Sequence, residues 1–516
     1  MAKTPRYFIT TAIDYPNSRP HIGTAFEKLG ADVQARYRRM EGYDVHFLMG
    51  NDENTVKVAR KAAELGKPPK EYCDDMARQF QDVWRALDIS FDEFIQTSEP
   101  RHHAGCQKFI QKVYDAGYIY KGSYEGWYCD GCESFKTEKD LVNGNCPVHG
   151  TPAARRSEPC HYFALSKFQD KLIAFYEEYP DFIQPESRRN EVMTLVQTEL
   201  RDVNITRLGQ EWGIRVPFDP DFTIWVWFDA LLNYITAIGY GGDEERFKKW
   251  WPAEMHVIGK DITRFHCALW PAMLMAAELD TPKRVFGHGF VYMKGEKISK
   301  TLGNIVEPMD IITKFSADAF RYYFLRECPF PGDGDFSWQR FEQLYNADLA
   351  NNLGNLYSRV ITLVTKNYGG HLEGTSVAKA GVIYTEVDTE TTVKQVQEHF
   401  EACQYNQALE RIWRQVLDPA NQYADKKEPW KLVKTDLAAA KQVLHDLVEQ
   451  LRIVSILLKP FLPRTGKTIY ESFNFKQRWD EVRHEDVWVH PGLGEDLRIL
   501  AELENGKVKP LFPRIA

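Results

Sequence analysis

The chain has 516 residues, 43% hydrophobic and 27% charged, a globular balance that excludes disorder and collagen and allows about three domains. Its 65 Lys and Arg against 73 Asp and Glu give a net charge of −8, so it lacks the general basic field of a nucleic-acid binder, and any such contact must use local patches. No run of 18 apolar residues exists, since the stretches near 222–240 and 267–277 are short or broken by Asp229 and Asn233; this excludes a membrane-spanning helix.

The first residues, MAKTPRYFITTAI, open like a strand without a secretory layout and point to the cytoplasm. Residues 6–13 are apolar and β-rich, and the turn-rich DYPNSRP follows. Residues 23–41 predict a helix, with Phe26, Leu29 and Val33 at helical spacing and Gly42 as its stop. Residues 44–50 predict a second buried strand, and 54–65 a helix stopped by Gly66. This β-α-β-α order implies an α/β fold with a Rossmann-like, doubly wound parallel sheet. Residues 71–118 read as mostly helical, and 119–222, with its Cys/His cluster and prolines, as an insertion. Strand patterns return at 223–228, 255–258 and 284–286.

Beyond Trp338 the pattern is helical. Leu353, Leu356, Val360 and Leu363 repeat at helical steps, as do Leu444, Leu447, Leu451, Val454 and Leu458, which predicts an α-helical bundle. Gly369, Gly370 and residues 371–388 read as a loop. The expected units are 1–118 and 223–290 as two halves of one domain, 119–222 inserted between them, 291–345 as a connector, 346–495 as the bundle and 496–516 as a tail.

Several constellations carry chemistry. His21-Ile22-Gly23 opens the first helix, where free N–H groups and a partial positive charge suit a phosphate. Gly23 permits close approach and His21 can donate to a phosphate oxygen, although a capping loop can look the same. Lys297-Ile298-Ser299-Lys300-Thr301, followed by Leu302-Gly303-Asn304, forms a cationic loop able to neutralise a leaving pyrophosphate. Alone it is also an ordinary solvated basic loop.

Nine cysteines cannot all pair with one another. Six are scattered, but Cys129-x-x-Cys132 is followed after thirteen residues by Cys146-x-x-His149. Three thiolates and one imidazole close a tetrahedral site that suits structural Zn²⁺ in a reducing compartment.

Trp227 and Tyr234 sit seven apart, and Ile262, His266 and Trp270 are spaced by four, each set on one helical face. With Tyr15, Ala12, Ile13, Ala230 and Leu231 they can enclose a flexible thioether, though each alone is equally a core residue. Asn355 and Arg359 lie one turn apart, and Trp430 follows Lys426, Lys427, Glu428 and Pro429. Unstacked RNA bases are read by such aromatics, Asn and Arg.

Together these residues carry a resemblance. TTAIDYPNSRPHIGTA (10–25), FLMGNDEN (47–54), NITRLGQEWGIRVP (204–217), WFDALLNY (227–234), VIGKDITRFHCALWPAML (257–274), KISKTLGN, NLYSR (355–359) and LFPRI (511–515) resemble the class I aminoacyl-tRNA synthetases with their HIGH and KMSKS signatures. The resemblance is to the methionyl-tRNA synthetases in particular and covers nearly the whole chain. It implies ATP-dependent attachment of methionine to tRNA through methionyl-adenylate, with Mg²⁺ accompanying ATP and one structural Zn²⁺ shaping the insertion. The bundle then becomes an anticodon-binding domain.

By matching positions, the resemblance gives His21, Thr24, Lys297, Lys300 and Arg207 catalytic roles around the triphosphate, and His21, Gly23, Gly259, Asp261 and Lys300 contacts to ATP. Asp52 would hold the methionine ammonium inside the pocket of Ala12, Ile13, Tyr15, Trp227, Ala230, Leu231, Tyr234, Ile262, His266 and Trp270. Asn355, Arg359 and Trp430 would read the CAU anticodon. Thr24 replaces the second signature His and carries no charge, Ile298 and Thr301 are mild changes, and Asn54 stands where the family commonly has His. Another class I synthetase, or a nucleotidyltransferase without tRNA, is the alternative. The insertion is too small for a separate hydrolytic editing domain, and a monomer is expected.

Overall fold

The computed structural model describes residues 4–515 except 133, 137, 199, 298–304, 374–388, 488–495, 505 and 506. Its central sheet has six strands, and every pairing in it is parallel. β1 (Arg6–Thr11) and β2 (Asp44–Asn51) are buried along nearly their whole length. Such continuous burial is what a parallel sheet covered on both faces requires. β3 (Glu93–Gln96) flanks β2, while Met255–Gly259, Val285–His288 and Ile183–Gln184 lie in that order on the far side of β1. Ile9 of β1 registers with Phe47 on one side and Met255 on the other. Strand order therefore reverses between β1 and Met255–Gly259, and ligands in such sheets bind beyond the strand C-termini at that reversal.

α1 (Ile22–Met40) follows β1 and is buried nearly all round, polar residues included. Its Glu27, Lys28, Asp32 and Arg38 all find charged partners. α2 (Val56–Glu64) follows β2, with the Thr55 hydroxyl accepting from the Val58 N–H as its N-cap.

The expected doubly wound sheet with an insertion and a helical C-terminal region is present, with local corrections. Residues 71–118 are mostly helical as expected, but the four-residue β3 lies between Pro69–Ala86 and Pro100–Asp115. A strand this short sets up no alternation that a periodicity argument can detect. Residues 223–228 are not one strand. Phe222–Ile224 pairs antiparallel with Thr206–Leu208, and a helix starts at Val226. An unbroken buried apolar run does not reveal its period. Ile183–Gln184, inside the 119–222 stretch, adds the outer strand of the main sheet.

The same stretch holds the helices Gln169–Glu178 and Glu186–Thr198 and a long antiparallel ribbon of Ile119–Cys129 with Ala154–Phe163, whose far end carries the cysteine cluster. In the C-terminal region Asn355–Tyr368 packs on Leu437–Leu458, which is buried almost throughout from Val443. Residues 371–373, read as loop, form a strand paired with Asp496–Arg498; 374–388 lie outside the described residues. The tail folds back, Tyr345 Oη donating to Pro513 O at 2.9 Å.

One buried ionic knot ties α1 to the helix Ala317–Glu327 and to the helical C-terminal region. Asp32 Oδ2 of α1 meets Arg36 Nε at 2.8 Å and Arg321 Nη2 at 2.7 Å. Arg321 also donates to Phe461 O at 2.6 Å, Pro460 O at 3.0 Å and Leu87 O at 3.3 Å.

Candidate active site and metal centre

His21 is the N-cap of α1. Its Nδ1 accepts from the N–H groups of Gly23 at 3.1 Å and Thr24 at 3.3 Å. Those two N–H groups are therefore capped by His21 rather than left open to a phosphate, which corrects the expectation of a bare helix terminus. An Nδ1 that accepts puts the proton of a neutral ring on Nε2, so Nε2 is the donor nitrogen of this ring. A Cβ on residue 23 would come within 3.0 Å of the His21 ring, so Gly23 is what lets the imidazole fold over the helix start. Thr24 is half-buried in the same first turn. Across the strand reversal, Gly259 ends its strand, and a Cβ there would meet Asp261 Oδ1 at 2.7 Å. The two segments face the same sheet crevice.

The pocket candidates converge. Ala12, Ile13, Tyr15, Trp227, Leu231, Tyr234, Ile262 and Trp270 belong to one apolar cluster. Leu231, Tyr234 and Trp270 are its buried floor, while Ala12, Ile13, Tyr15, Trp227 and Ile262 stay partly exposed. Ala230 is 5% exposed on the same short helix as Trp227. Tyr234 Oη lies 2.8 Å from His266 Nε2, and Trp227 stacks on Phe265 at 4.0 Å.

The simple four-residue stripe of Ile262, His266 and Trp270 is not what forms. Ile262 ends a short 3-10 turn and Phe265–Leu269 is a π-helix, a wide turn that re-aims side chains and recurs at functional sites. His266 Nδ1 still reaches Ile262 O at 3.2 Å. Burial holds the His266 ring neutral, pulling it down to about 4.

Asp52 is 4% exposed in the loop that ends β2, and its N–H donates to Asp14 O at 2.9 Å. Beside it lies a polar hub that sequence reasoning missed. Lys28 Nζ reaches Ala12 O at 2.8 Å, Asp14 Oδ2 at 3.0 Å and Glu27 Oε1 at 2.6 Å. Glu27 Oε2 lies 3.1 Å from His288 Nε2. Burial raises Asp14 to about 6 even though the Lys28 charge opposes it. His256 was missed as well. It receives the Trp270 indole N–H at 3.3 Å, lies 2.7 Å from Thr10 Oγ1 and stacks on Tyr234 at 4.2 Å. The one available clue was that α1 and the strand at 255–259 carry polar residues at positions with no solvent-facing side.

Arg207 sits on Thr206–Leu208 with Nη1 on Asn204 Oδ1 at 3.0 Å and its guanidinium 5.5 Å from the Trp225 ring centre. Lys297 ends the strand Glu296–Lys297, whereas Ile298, Ser299, Lys300 and Thr301 lie outside the described residues.

Cys129, Cys132, Cys146 and His149 have their ligand atoms within 4.8 Å of one another. Cys132 Sγ lies 3.5 Å from Cys146 Sγ and 3.4 Å from His149 Nδ1, and the other two sulfurs are each 3.8 Å from that nitrogen. Metal–sulfur bonds of about 2.3 Å and metal–nitrogen bonds of about 2.0 Å in a tetrahedron give edges of this length. A Cβ on residue 131 would meet the His149 ring at 2.5 Å, so Gly131 keeps the ligand pocket clear. All nine cysteines are free of disulfides.

In the bundle, Asn355 and Arg359 lie on Asn355–Tyr368, and the Arg359 guanidinium sits 4.3 Å over the Trp430 ring. Arg359 also meets Asp425 at 3.4 Å. Trp430 is thus a half-buried platform sandwiched with a cation on one face.

Comparison with known proteins agrees with this geometry. A family model described as "tRNA synthetases class I (M)" matches residues 7–158 and 137–361, and one described as the anticodon binding domain of methionyl tRNA ligase matches 373–495. A methionine–tRNA ligase of Caldanaerobacter subterraneus is 43% identical over 527 residues, covering 100% of this chain and 79% of its own length. One from a Nostoc species is 42% identical over 522 residues, covering 99% and 97%. A structure of Mycobacterium tuberculosis methionyl-tRNA synthetase in complex with methionyl-adenylate superposes with a TM-score of 0.91 at 38% identity, covering 99% of this chain and 100% of that one. Matched in succession by both models and along its length by these relatives, the chain belongs to the class I methionyl-tRNA synthetases.

Proposed function

We infer that the crevice joins methionine to ATP as methionyl-adenylate and then passes the methionyl group to tRNA, which is methionine–tRNA ligase activity. The observation that carries this is the full-length likeness to a synthetase solved with methionyl-adenylate, together with the clustering of the pocket residues at the strand reversal.

In the first step the methionine carboxylate attacks the α-phosphorus of ATP in line, and pyrophosphate leaves. In the second a hydroxyl of the tRNA's terminal ribose attacks the activated carbonyl, and AMP leaves. No covalent protein intermediate is needed, so catalysis is positioning and charge stabilisation. Asp52 takes the ammonium, and the neutral His266–Tyr234 pair with Trp227 lines the thioether pocket. His21 Nε2, Arg207, Lys297 and Lys300 act on the phosphates, and Gly259 and Asp261 receive the nucleoside. Mg²⁺ accompanies the ATP phosphates.

Cys129, Cys132, Cys146 and His149 would hold Zn²⁺. Four protein ligands would leave no open position, so the ion would brace the ribbon end and take no part in the reaction. Asn355, Arg359 and Trp430 read the anticodon. The protein acts as a monomer in the cytoplasm, and its nine cysteines, free of disulfides, fit a reducing compartment. The test is ATP–pyrophosphate exchange with each amino acid in turn. Exchange driven by methionine alone is expected, and exchange driven by another amino acid instead refutes the assignment.

A further inference from the structure

Asp52 lies in the loop from Asn51 to Asn54, and that loop is held from three sides. Thr97, just past β3, donates its N–H to Asn51 O at 3.2 Å, accepts from the Glu53 N–H at 2.8 Å and accepts from Asn54 Nδ2 at 3.0 Å. Trp212, from the end of the insertion, donates its indole N–H to Glu53 O at 2.7 Å. The third hold is Asn54 Nδ2 on Asp229 Oδ2 at 3.3 Å. Asp229 sits between Trp227 and Ala230 on Val226–Leu231, the helix that carries part of the methionine pocket.

Both members of this pair are out of solvent, Asn54 at 3% and Asp229 at 0% exposure. Each keeps one buried oxygen, Asn54 Oδ1 and Asp229 Oδ1, without a hydrogen-bond partner among the described residues. No cation among the described residues offsets a charge on Asp229, which feels chiefly burial and, against it, the Asn54 hydrogen bond. An ionised carboxylate so placed would have one amide donor and no counter-charge, which is strongly disfavoured. A protonated one is neutral and turns one of the two lone oxygens into a donor. Burial pushes Asp229 far above the ordinary carboxylate range, in the same direction.

We propose that Asn54 and a protonated, neutral Asp229 form a buried clasp that fixes the Asp52 loop to the helix bearing Trp227, Ala230 and Leu231, and so act as positioning residues for methionine. The clasp rests on the reading of Asp52 as the ammonium anchor. It also gives a role to Asn54, where this sequence departs from the His common in its family.

The test is ATP–pyrophosphate exchange with the full chain, varying methionine. Asn54→Ala removes the amide donor to Asp229 and is expected to raise KM for methionine about tenfold, the scale of one hydrogen bond lost from a buried pair. Its kcat and its KM for ATP stay within about twofold, a split that general loosening of the fold would not give. Asp229→Asn keeps a neutral acceptor and a donor and is expected to behave like wild type, whereas Asp229→Ala resembles Asn54→Ala. The double alanine variant is expected to be no worse than either single one. An Asp229→Asn enzyme as impaired as Asp229→Ala overturns the neutral acid. Unchanged methionine KM in Asn54→Ala, with a raised KM in Asp52→Ala, overturns the clasp alone. Unchanged KM in Asp52→Ala as well removes the anchor and the clasp with it. If Asp229→Ala does not fold, Asn54→Ala and Asp229→Asn decide the matter.

Discussion

Asp32→Asn tests the knot that ties α1 to Ala317–Glu327 and the helical C-terminal region. The Asp32 and Arg321 side chains are both fully buried at 0% exposure, and Asp32 Oδ1 also receives the Ser90 N–H at 2.7 Å and Ser90 Oγ at 2.6 Å. Burial alone would raise Asp32, but the charges of Arg36 and Arg321 and the Ser90 hydrogen bonds outweigh it and hold it at about 2. An amide at this position keeps the shape but strands a guanidinium in the interior, so the loss at pH 7 is expected to be about 3–5 kcal/mol. The gap between an ordinary 3.8 and about 2 accounts for about 2 kcal/mol of this. The sign follows from proton binding. The unfolded carboxyl takes a proton first as pH falls, so this stabilisation is full above pH 3.8 and lost progressively towards pH 2. Urea unfolding of wild type and Asp32→Asn by tryptophan fluorescence should therefore show a gap that narrows by about 1 kcal/mol between pH 7 and pH 3. A gap below about 1 kcal/mol at pH 7, or one indifferent to pH, would refute a charged buried knot.

Three further outcomes follow from the site. Trp430→Ala removes the platform under Arg359 and should lower tRNA charging at limiting tRNA by at least about fivefold while sparing ATP–pyrophosphate exchange, since base stacking is worth about 1–3 kcal/mol; normal charging kinetics would take Trp430 out of anticodon reading. Metal analysis should find about one Zn²⁺ per chain in wild type and far less in Cys146→Ser, and a metal-free wild type ends the knuckle assignment. Lys300→Ala should slow adenylate formation about a hundredfold with little change in methionine binding, as loss of one transition-state charge contact does, and unchanged exchange would remove the loop from catalysis.

The sequence by itself determined the fold class and the family, and it named the candidate members of the site. Motif spacing survives without coordinates because it records covalent facts: a CxxC and a CxxH can close one tetrahedron, and a strand–loop–helix start such as PHIGTA caps itself locally through His21. Parallel-sheet topology was legible for a similar reason, since alternating strand and helix periods leave few windings. What the sequence left open depended on long-range contact. β3 was invisible because its strand character comes from lying beside β2, and the run at 223–228 hid its helix because burial on every side erases the period. The Lys28 hub, His256 and the Asp229 clasp were illegible for a deeper reason. A charged or polar residue in a helix or strand pattern reads as a solvated face, and only tertiary structure shows that the face is covered and where each buried donor finds its acceptor, across 16 residues for Lys28 and Ala12 and 175 for Asn54 and Asp229. Burial makes these pairs obligatory, because an unpaired polar group costs more inside the protein than any local preference can repay.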